Sequence, residues 1–302
     1  MSREKSRVLI FGAGVIGSIY AHKFFEAGID VTLFARGNRL ASLQEHGLQY
    51  SKNGGVSSVN VRVIDSLEND DLYDFIFVAV RYDQAEGALL ALKDNQSKTI
   101  VTMTNNAKGF SSWTDIVGER LVPGFPGFGG QIKDEVLYAR VPPKALQASM
   151  FGEISGRETE RTEQLKNLFD TAKLPCTIKK DMGAYLITHS VSDIALLCNL
   201  YARDGAAENE GANTKETARR ITRTLKSYLR ALRDAGLSIS PSAFKAALYC
   251  PGFIMDAFFV QWLQSQMVQD MLLPDYAIGA EREAAQLKRD LLELLKQHGV
   301  AP

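Results

Sequence analysis

The amino-acid sequence predicts an α/β N-terminal domain built on a doubly wound, mostly parallel sheet, followed by an all-α C-terminal domain. Three observations predict this. Short apolar runs of strand length alternate with helix-like segments from Val8 to Met103, the pattern of a parallel sheet covered by helices. A glycine-rich turn joins the first run to the first helix. From about Gly183 onward the apolar residues recur at helical spacing almost throughout. This change of pattern puts the boundary near residue 180, with domains over 1–180 and 181–302.

The elements follow in order. Strands are expected at 8–11, 31–35, 59–64, 75–80 and 99–103, and the first helix ends near Gly28. After Leu121 the run Val-Pro-Gly-Phe-Pro-Gly-Phe-Gly-Gly predicts turns around short strands. In the second half, helices are expected over 183–202, 215–235, 242–249, 252–273 and 281–298. Gly236 and Gly299 follow the last periodic residues of two of these helices, where a left-handed cap belongs. The stretch 203–213, rich in Gly, Ala, Asn and Asp, reads as a loop.

Composition excludes several classes of function. Lys plus Arg number 35 and Asp plus Glu 35, so no net field favours nucleic acid or an acidic membrane surface. The cluster Arg219, Arg220, Arg223, Lys226 and Arg230 reads as the solvated face of one helix. Three widely separated cysteines, Cys176, Cys198 and Cys250, suggest neither a disulfide framework nor a metal site. Cys198, flanked by Leu196, Leu197 and Leu200, belongs to a core. The four histidines share no ligand spacing, so no metal is expected. The apolar stretch 253–267 carries Asp256, Gln261, Gln264 and Gln266 and is too short and polar to span a bilayer. These features predict a cytoplasmic protein with no membrane partner. Phe258, Phe259, Trp262 and Leu263 are expected to pack one helix against its neighbours, with a homodimer contact open to the same face.

The most specific motif is Gly12-Ala13-Gly14-Val15-Ile16-Gly17, a G-x-G-x-x-G between a strand and a helix. Its first glycine permits the tight turn, the second lets a pyrophosphate approach the backbone, and the third lets helix and strand pack closely. Amides at the helix start then hold the anion. This is the dinucleotide fingerprint of a Rossmann domain. Enzymes that use NAD place Asp or Glu at the end of the second strand, to accept from the ribose 2′-hydroxyl. Here Arg36 stands at that position, with Arg39 close behind. A guanidinium suits a 2′-phosphate, so the cofactor expected is NADP(H).

With these residues in place, the chain resembles the ketopantoate reductase family along nearly its whole length. The resemblance implies a two-domain NADPH enzyme that reduces the ketone of a 2-oxo acid. Residues 12–17 and 31–37 match the family's glycine turn, second strand and Ala-Arg-Gly. Arg81 replaces the lysine that commonly ends the family's fourth strand, and keeps its charge. Thr104-Asn105-Asn106 corresponds to the Gln-Asn-Gly turn near the nicotinamide, which makes Asn105 a cofactor contact by resemblance. The segment from Phe151 to Gly156 resembles the family's Ile-Gly-Glu element.

The substrate half departs from the family. Asp181-Met182, three residues, then Leu186-Ile187-Thr188-His189 puts His189 where the family carries its proton-donating lysine. Two family asparagines become Asp193 and Leu197, and a serine becomes Gln266. The substrate-contacting glutamate falls at Glu283, with Glu281 as a neighbouring rival. A histidine can donate a proton near neutral pH, because its ordinary pKa is about 6.5. Asp193, four residues on, shares its helix face and favours the imidazolium. His189, Asp193 and Glu283 are therefore the expected catalytic residues, and the carbonyl of a small oxo compound the expected target, with ketopantoate itself left open. The alternative is an NADP(H)-binding sensor or regulator that has lost turnover.

Overall fold

The structure, a computed structural model, describes residues 6–140, 147–200, 214–265, 268 and 277–302. They fall into two compact units, one of Met1–Thr104 and Phe110–Met182, the other of Asn105–Gly109 and Gly183–Pro302.

The strands of the first unit, in chain order, are β1 (Arg7–Phe11), β2 (Asp30–Phe34), β3 (Leu48–Lys52), β4 (Gly55–Val59), β5 (Arg62–Ile64) and β6 (Phe75–Val78). They continue as β7 (Ile100–Met103), β8 (Leu121–Phe125), β9 (Gly129–Lys133), β10 (Val136–Arg140), β11 (Ser149–Phe151) and β12 (Cys176–Ile178). Between them lie the helices α1 (Val15–Glu26), α2 (Gly37–His46), α3 (Tyr82–Ala91), α4 (Ser111–Val117) and α5 (Glu160–Thr171). Eight strands form one sheet in the order β12-β11-β8-β7-β6-β1-β2-β5. Neighbours from β5 through β8 all pair in parallel, and the single antiparallel pair is β8 with β11. The expected mostly parallel sheet is therefore present.

The reason lies in the strands themselves. Those at the centre, such as Phe75-Ile-Phe-Val78 and Ile100-Val-Thr-Met103, are buried along their whole length, as a sheet covered on both faces requires. Against it, Tyr20 and Phe24 of α1 meet Phe77, Phe151 and Phe169 in one aromatic cluster, with ring centroids 5.4–6.0 Å apart. The buried Tyr20 hydroxyl is satisfied by Ser149 Oγ at 2.7 Å, so the cluster contains no orphaned phenol.

Three details differ from the sequence expectation. The strand expected at 59–64 is two strands, β4 and β5, which belong to different sheets. β4 forms a hairpin with β3 through Asn53-Gly54, whose φ values of 52° and 81° are those of a two-residue hairpin turn. This Asn-Gly pair was a legible signal for β3. Together with β10 and β9 the hairpin makes a second sheet, in the order β4-β3-β10-β9. Finally, the Pro-Gly run after Leu121 begins with an interior strand, β8, rather than a turn. Gly124 makes that possible, because a Cβ there would lie 2.7 Å from the Thr102 carbonyl oxygen.

The second unit is helical in its described residues, with α6 (Met182–Leu200), α7 (Thr214–Asp234), α8 (Ser242–Tyr249), α9 (Gly252–Leu263) and α10 (Ala277–Gln297). α7 buries Ala218, Ile221, Leu225, Tyr228, Leu229 and Leu232, one continuous stripe at helical spacing. Gly236 and Gly299 take the left-handed conformation expected of caps, each at φ 72°. The helix expected over 252–273 ends at Leu263. The expected loop at 203–213 lies outside the described residues, as does most of the Gln266–Asp270 correspondence. Phe258 corrects the packing expectation. It is 59% exposed with Phe253 and Ile254 nearby, while Leu263 is buried. No helix among the described residues is long and apolar enough to cross a membrane. Nor do those residues hold a group of three or more His, Cys, Asp or Glu that could bind a metal ion.

Candidate active site

In the first unit, Phe11 is in register with Phe34 of β2 and with Val78 of β6. The glycine turn, Arg36 and Arg81 therefore all follow the carboxyl ends of three adjacent strands. The chain runs from β1 to β2 on one side and reaches β6 on the other, which makes this the switch point where doubly wound sheets bind ligands. Gly12 has φ 121°, and a Cβ on it would lie 2.6 Å from the Ala79 carbonyl oxygen. A Cβ on Gly17 would come within 1.8 Å of the Gly12 oxygen. At Gly14, by contrast, a Cβ would meet nothing within 4 Å, and the residue is exposed. Two glycines are thus required by packing and the third leaves room above the start of α1. No side chain caps α1, so Ala13, Val15 and Ile16 present backbone to an incoming anion. The cradle fits a pyrophosphate.

Gly17→Ala is expected to weaken any dinucleotide binding at this turn at least about tenfold and to lower the melting temperature, because the clash is with backbone. Fluorescence titration and a thermal melt would check both, and wild-type values would show that the turn can widen.

Arg36 is exposed at the start of α2, with its guanidinium carbon 5.9 Å from the Phe34 ring centroid. Arg39 has a different task. Its guanidinium donates to the Ala13 carbonyl at 3.3 Å, to Ser18 Oγ at 3.3 Å and to the Glu135 carboxylate at 2.7 Å. It braces the glycine turn against the β9–β10 turn, and this bond in turn holds the Glu135 carboxyl below its usual range. Glu135 lies 96 residues from Arg39, and nothing in the sequence linked them. Arg81 precedes α3, and its Nε lies 3.4 Å from Asp83 Oδ1.

The expected catalytic pair lies in the second unit. His189 and Asp193 are one turn apart on α6, with Nδ1 and Oδ2 separated by 3.5 Å. Asn105, in the buried turn after β7, donates from Nδ2 to Asp193 Oδ2 at 2.7 Å. Its Oδ1 lies 3.3 Å from His189 Nδ1. Asn105, a nicotinamide contact by resemblance, thus sits on the histidine–aspartate pair. Asn106, where the family has glycine, is not in the left-handed region. Gly109 takes that conformation instead, so the exchange costs no backbone strain.

Tyr185 lies four residues before His189, with ring centroids 5.9 Å apart. Burial, and then the charge of Asp193, push its hydroxyl up to about 12. It was absent from the sequence reading, although its i−4 spacing was available. Of the rival glutamates on α10, Glu281 is exposed and Glu283 is half-buried, four residues before buried Leu287. Burial therefore favours Glu283 as the one facing the interior of its unit. Cys198 packs beside Leu197 and Ala284, and burial pushes its thiol up, as suits a core residue.

Comparison with known proteins gives consistent results. Residues 8–136 match the family model described as ketopantoate reductase PanE/ApbA. A 2-dehydropantoate 2-reductase of Mesorhizobium japonicum is 30% identical over 143 residues, which are 46% of this chain and 40% of that protein. Another, from Archaeoglobus fulgidus, is 23% identical over 64% of this chain and 65% of the relative. The chain thus aligns with less than two thirds of either relative. Among solved structures, a 2-dehydropantoate 2-reductase from Geobacter metallireducens superposes with a TM-score of 0.73 at 18% identity, covering 98% of this chain and 95% of that one. A D-mandelate dehydrogenase with NADH and anilino(oxo)acetate gives 0.65 at 12% identity, covering 98% and 100%. These structures share the fold. The resemblance read from the motifs is therefore borne out over residues 8–136, which match the ketopantoate reductase family.

Proposed function

We propose that the chain is an NADPH-dependent oxidoreductase of ketopantoate reductase type that reduces the carbonyl of a small oxo compound, with His189 as proton donor. The observation that carries this reading is the cluster of His189, Asp193 and Asn105. It provides an ionisable acid, a carboxylate beside it and an amide bonded to that carboxylate. NADPH supplies the hydride to the carbonyl carbon. His189 gives a proton to the carbonyl oxygen as negative charge develops there, so the product is an alcohol. Asp193 stabilises the imidazolium before transfer, and Glu283 binds a hydroxyl of the substrate.

Two asparagines and a serine of the family are replaced here, and a carboxylate is gained. This exchange disfavours a small anionic oxo acid and suits a neutral or cationic carbonyl compound. Arg36, with no acid at the end of β2, supports NADPH over NADH. Arg36→Asp is expected to reverse that preference, with a loss of about 10- to 100-fold in NADPH affinity, the worth of a charge-assisted hydrogen bond. Unchanged affinity would assign the 2′-phosphate elsewhere.

The test of the whole reading is NADPH oxidation by the purified protein against ketopantoate and a panel of neutral and cationic carbonyl compounds. Turnover on the panel alone supports it as stated, and turnover on ketopantoate restores the family's own substrate. Tight NADPH binding with no turnover overturns the enzyme reading in favour of a sensor.

A further inference from the structure

We infer that Asn105 is a positioning residue that fixes the neutral His189 ring in its Nδ1–H form, so that Nε2 is the nitrogen through which the catalytic proton passes. This rests on the reading of His189 as proton donor. The argument is one of donors and acceptors. A carboxylate only accepts, so the Asn105 atom 2.7 Å from Asp193 Oδ2 is the amide nitrogen. The atom facing His189 is then the amide oxygen, which also only accepts. His189 Nδ1, 3.3 Å from that oxygen and 3.5 Å from Asp193 Oδ2, meets two acceptors and must carry the hydrogen. The neutral ring has one hydrogen, so Nε2 is the nitrogen that gains and loses the proton.

The arrangement is fixed from both sides. Asn105 is buried in a turn where Asn106 Oδ1 accepts from the Lys108 amide at 3.1 Å, and Asp193 is held on α6. When the imidazolium gives up its Nε2 proton, the neutral ring left behind is already in its hydrogen-bonded form. No ring flip or tautomer exchange follows transfer. Asp193 alone offers the ring a longer contact from its own helix. Asn105 supplies the second acceptor and, by bonding Asp193, keeps the carboxylate beside the ring.

Long-range 1H–15N correlation spectra of histidine-labelled apo protein, recorded at alkaline pH where the rings are neutral, test this directly. With four histidines in the chain, His→Gln variants assign the signals. We expect Nδ1 of His189 to resonate as the protonated nitrogen and Nε2 as the bare one. Asn105→Ala should move the tautomer ratio about fivefold or more towards Nε2–H, the loss of one modest hydrogen bond. A wild-type ring in the Nε2–H form overturns the inference, as does an Asn105→Ala spectrum with an unchanged ratio. The wild-type spectrum decides even if a variant fails to fold. The measurement needs no substrate, so it is separate from turnover. An Nδ1–H ring in a protein whose His189→Gln variant turns over normally would keep the hold of Asn105 on the ring and remove proton transfer from it.

Discussion

Replacing His189 with Gln is expected to lower turnover about 10²- to 10⁴-fold, the range that one positioned proton donor contributes. Gln keeps size and polarity but has no proton to give as the alkoxide forms. Because the lost interaction exists only in the transition state, kcat and kcat/KM should fall together. NADPH affinity should stay close to wild type, since the glycine turn and Arg36, the proposed cofactor contacts, belong to the other unit. Steady-state kinetics and a parallel NADPH titration would read both quantities. Turnover unchanged in the variant would end the assignment of His189 as donor, and equal loss of NADPH binding would make its role structural.

The second large effect is on stability. Glu153 is buried, and its carboxylate receives Arg161 Nε at 2.7 Å. Arg161 also donates to the Glu119 carbonyl at 2.7 Å, and the Thr159 hydroxyl bonds Glu153 as well. Thr159 caps α5, so this group ties the end of β11, the helix start and the turn before β8 together. Arg161→Ala leaves a buried carboxylate facing only Thr159. Removing one partner of a buried pair costs about 3–5 kcal/mol, and the partial exposure of Arg161 places this case near 3. For a unit of this size that is a fall of about 6–12 °C in melting temperature.

The pH dependence follows from the same pair. Burial pushes the Glu153 carboxyl up, but the hydrogen bonds from Arg161 and Thr159 outweigh it, and the net shift is down. The folded value lies below the unfolded one. The stabilisation is thus complete above the usual carboxylate range of about 4.3 and is lost as pH falls through the lower, folded value. In Arg161→Ala burial acts with little opposition and the carboxyl rises instead, so protonating it relieves the variant: its deficit against wild type should be largest near neutral pH and should shrink as pH falls. Melts of both proteins across the acid range would show it. Glu153→Gln in the Arg161→Ala background should recover part of the loss, and superimposable melts of wild type and Arg161→Ala would refute the argument.

How far the sequence reaches can be judged from particular residues. The strands at 8–11, 75–80 and 99–103 were legible because strands buried on both faces must be apolar throughout, and the glycine turn because its spacing serves a known geometry. The pair of His189 and Asp193 was legible too, since helical spacing alone puts residues four apart on one face. β3 was missed although Asn53-Gly54 signalled its hairpin. The single run at 59–64 hid a change of sheet, because alternation says where a strand is and not what it pairs with.

By itself, then, the sequence determined the local matters: the type of most elements, the glycine turn, and the absence of an acid after the second strand. These depend on periodicity and on residues a few positions apart. Only the tertiary structure decided that Arg39 is bound by Glu135, that Glu153 is bound by Arg161, and that Asn105 lies against Asp193 across 88 positions of chain. Hydrogen bonds and ion pairs act over about 3 Å of space whatever the chain length between the partners, so no spacing rule in the sequence announces them.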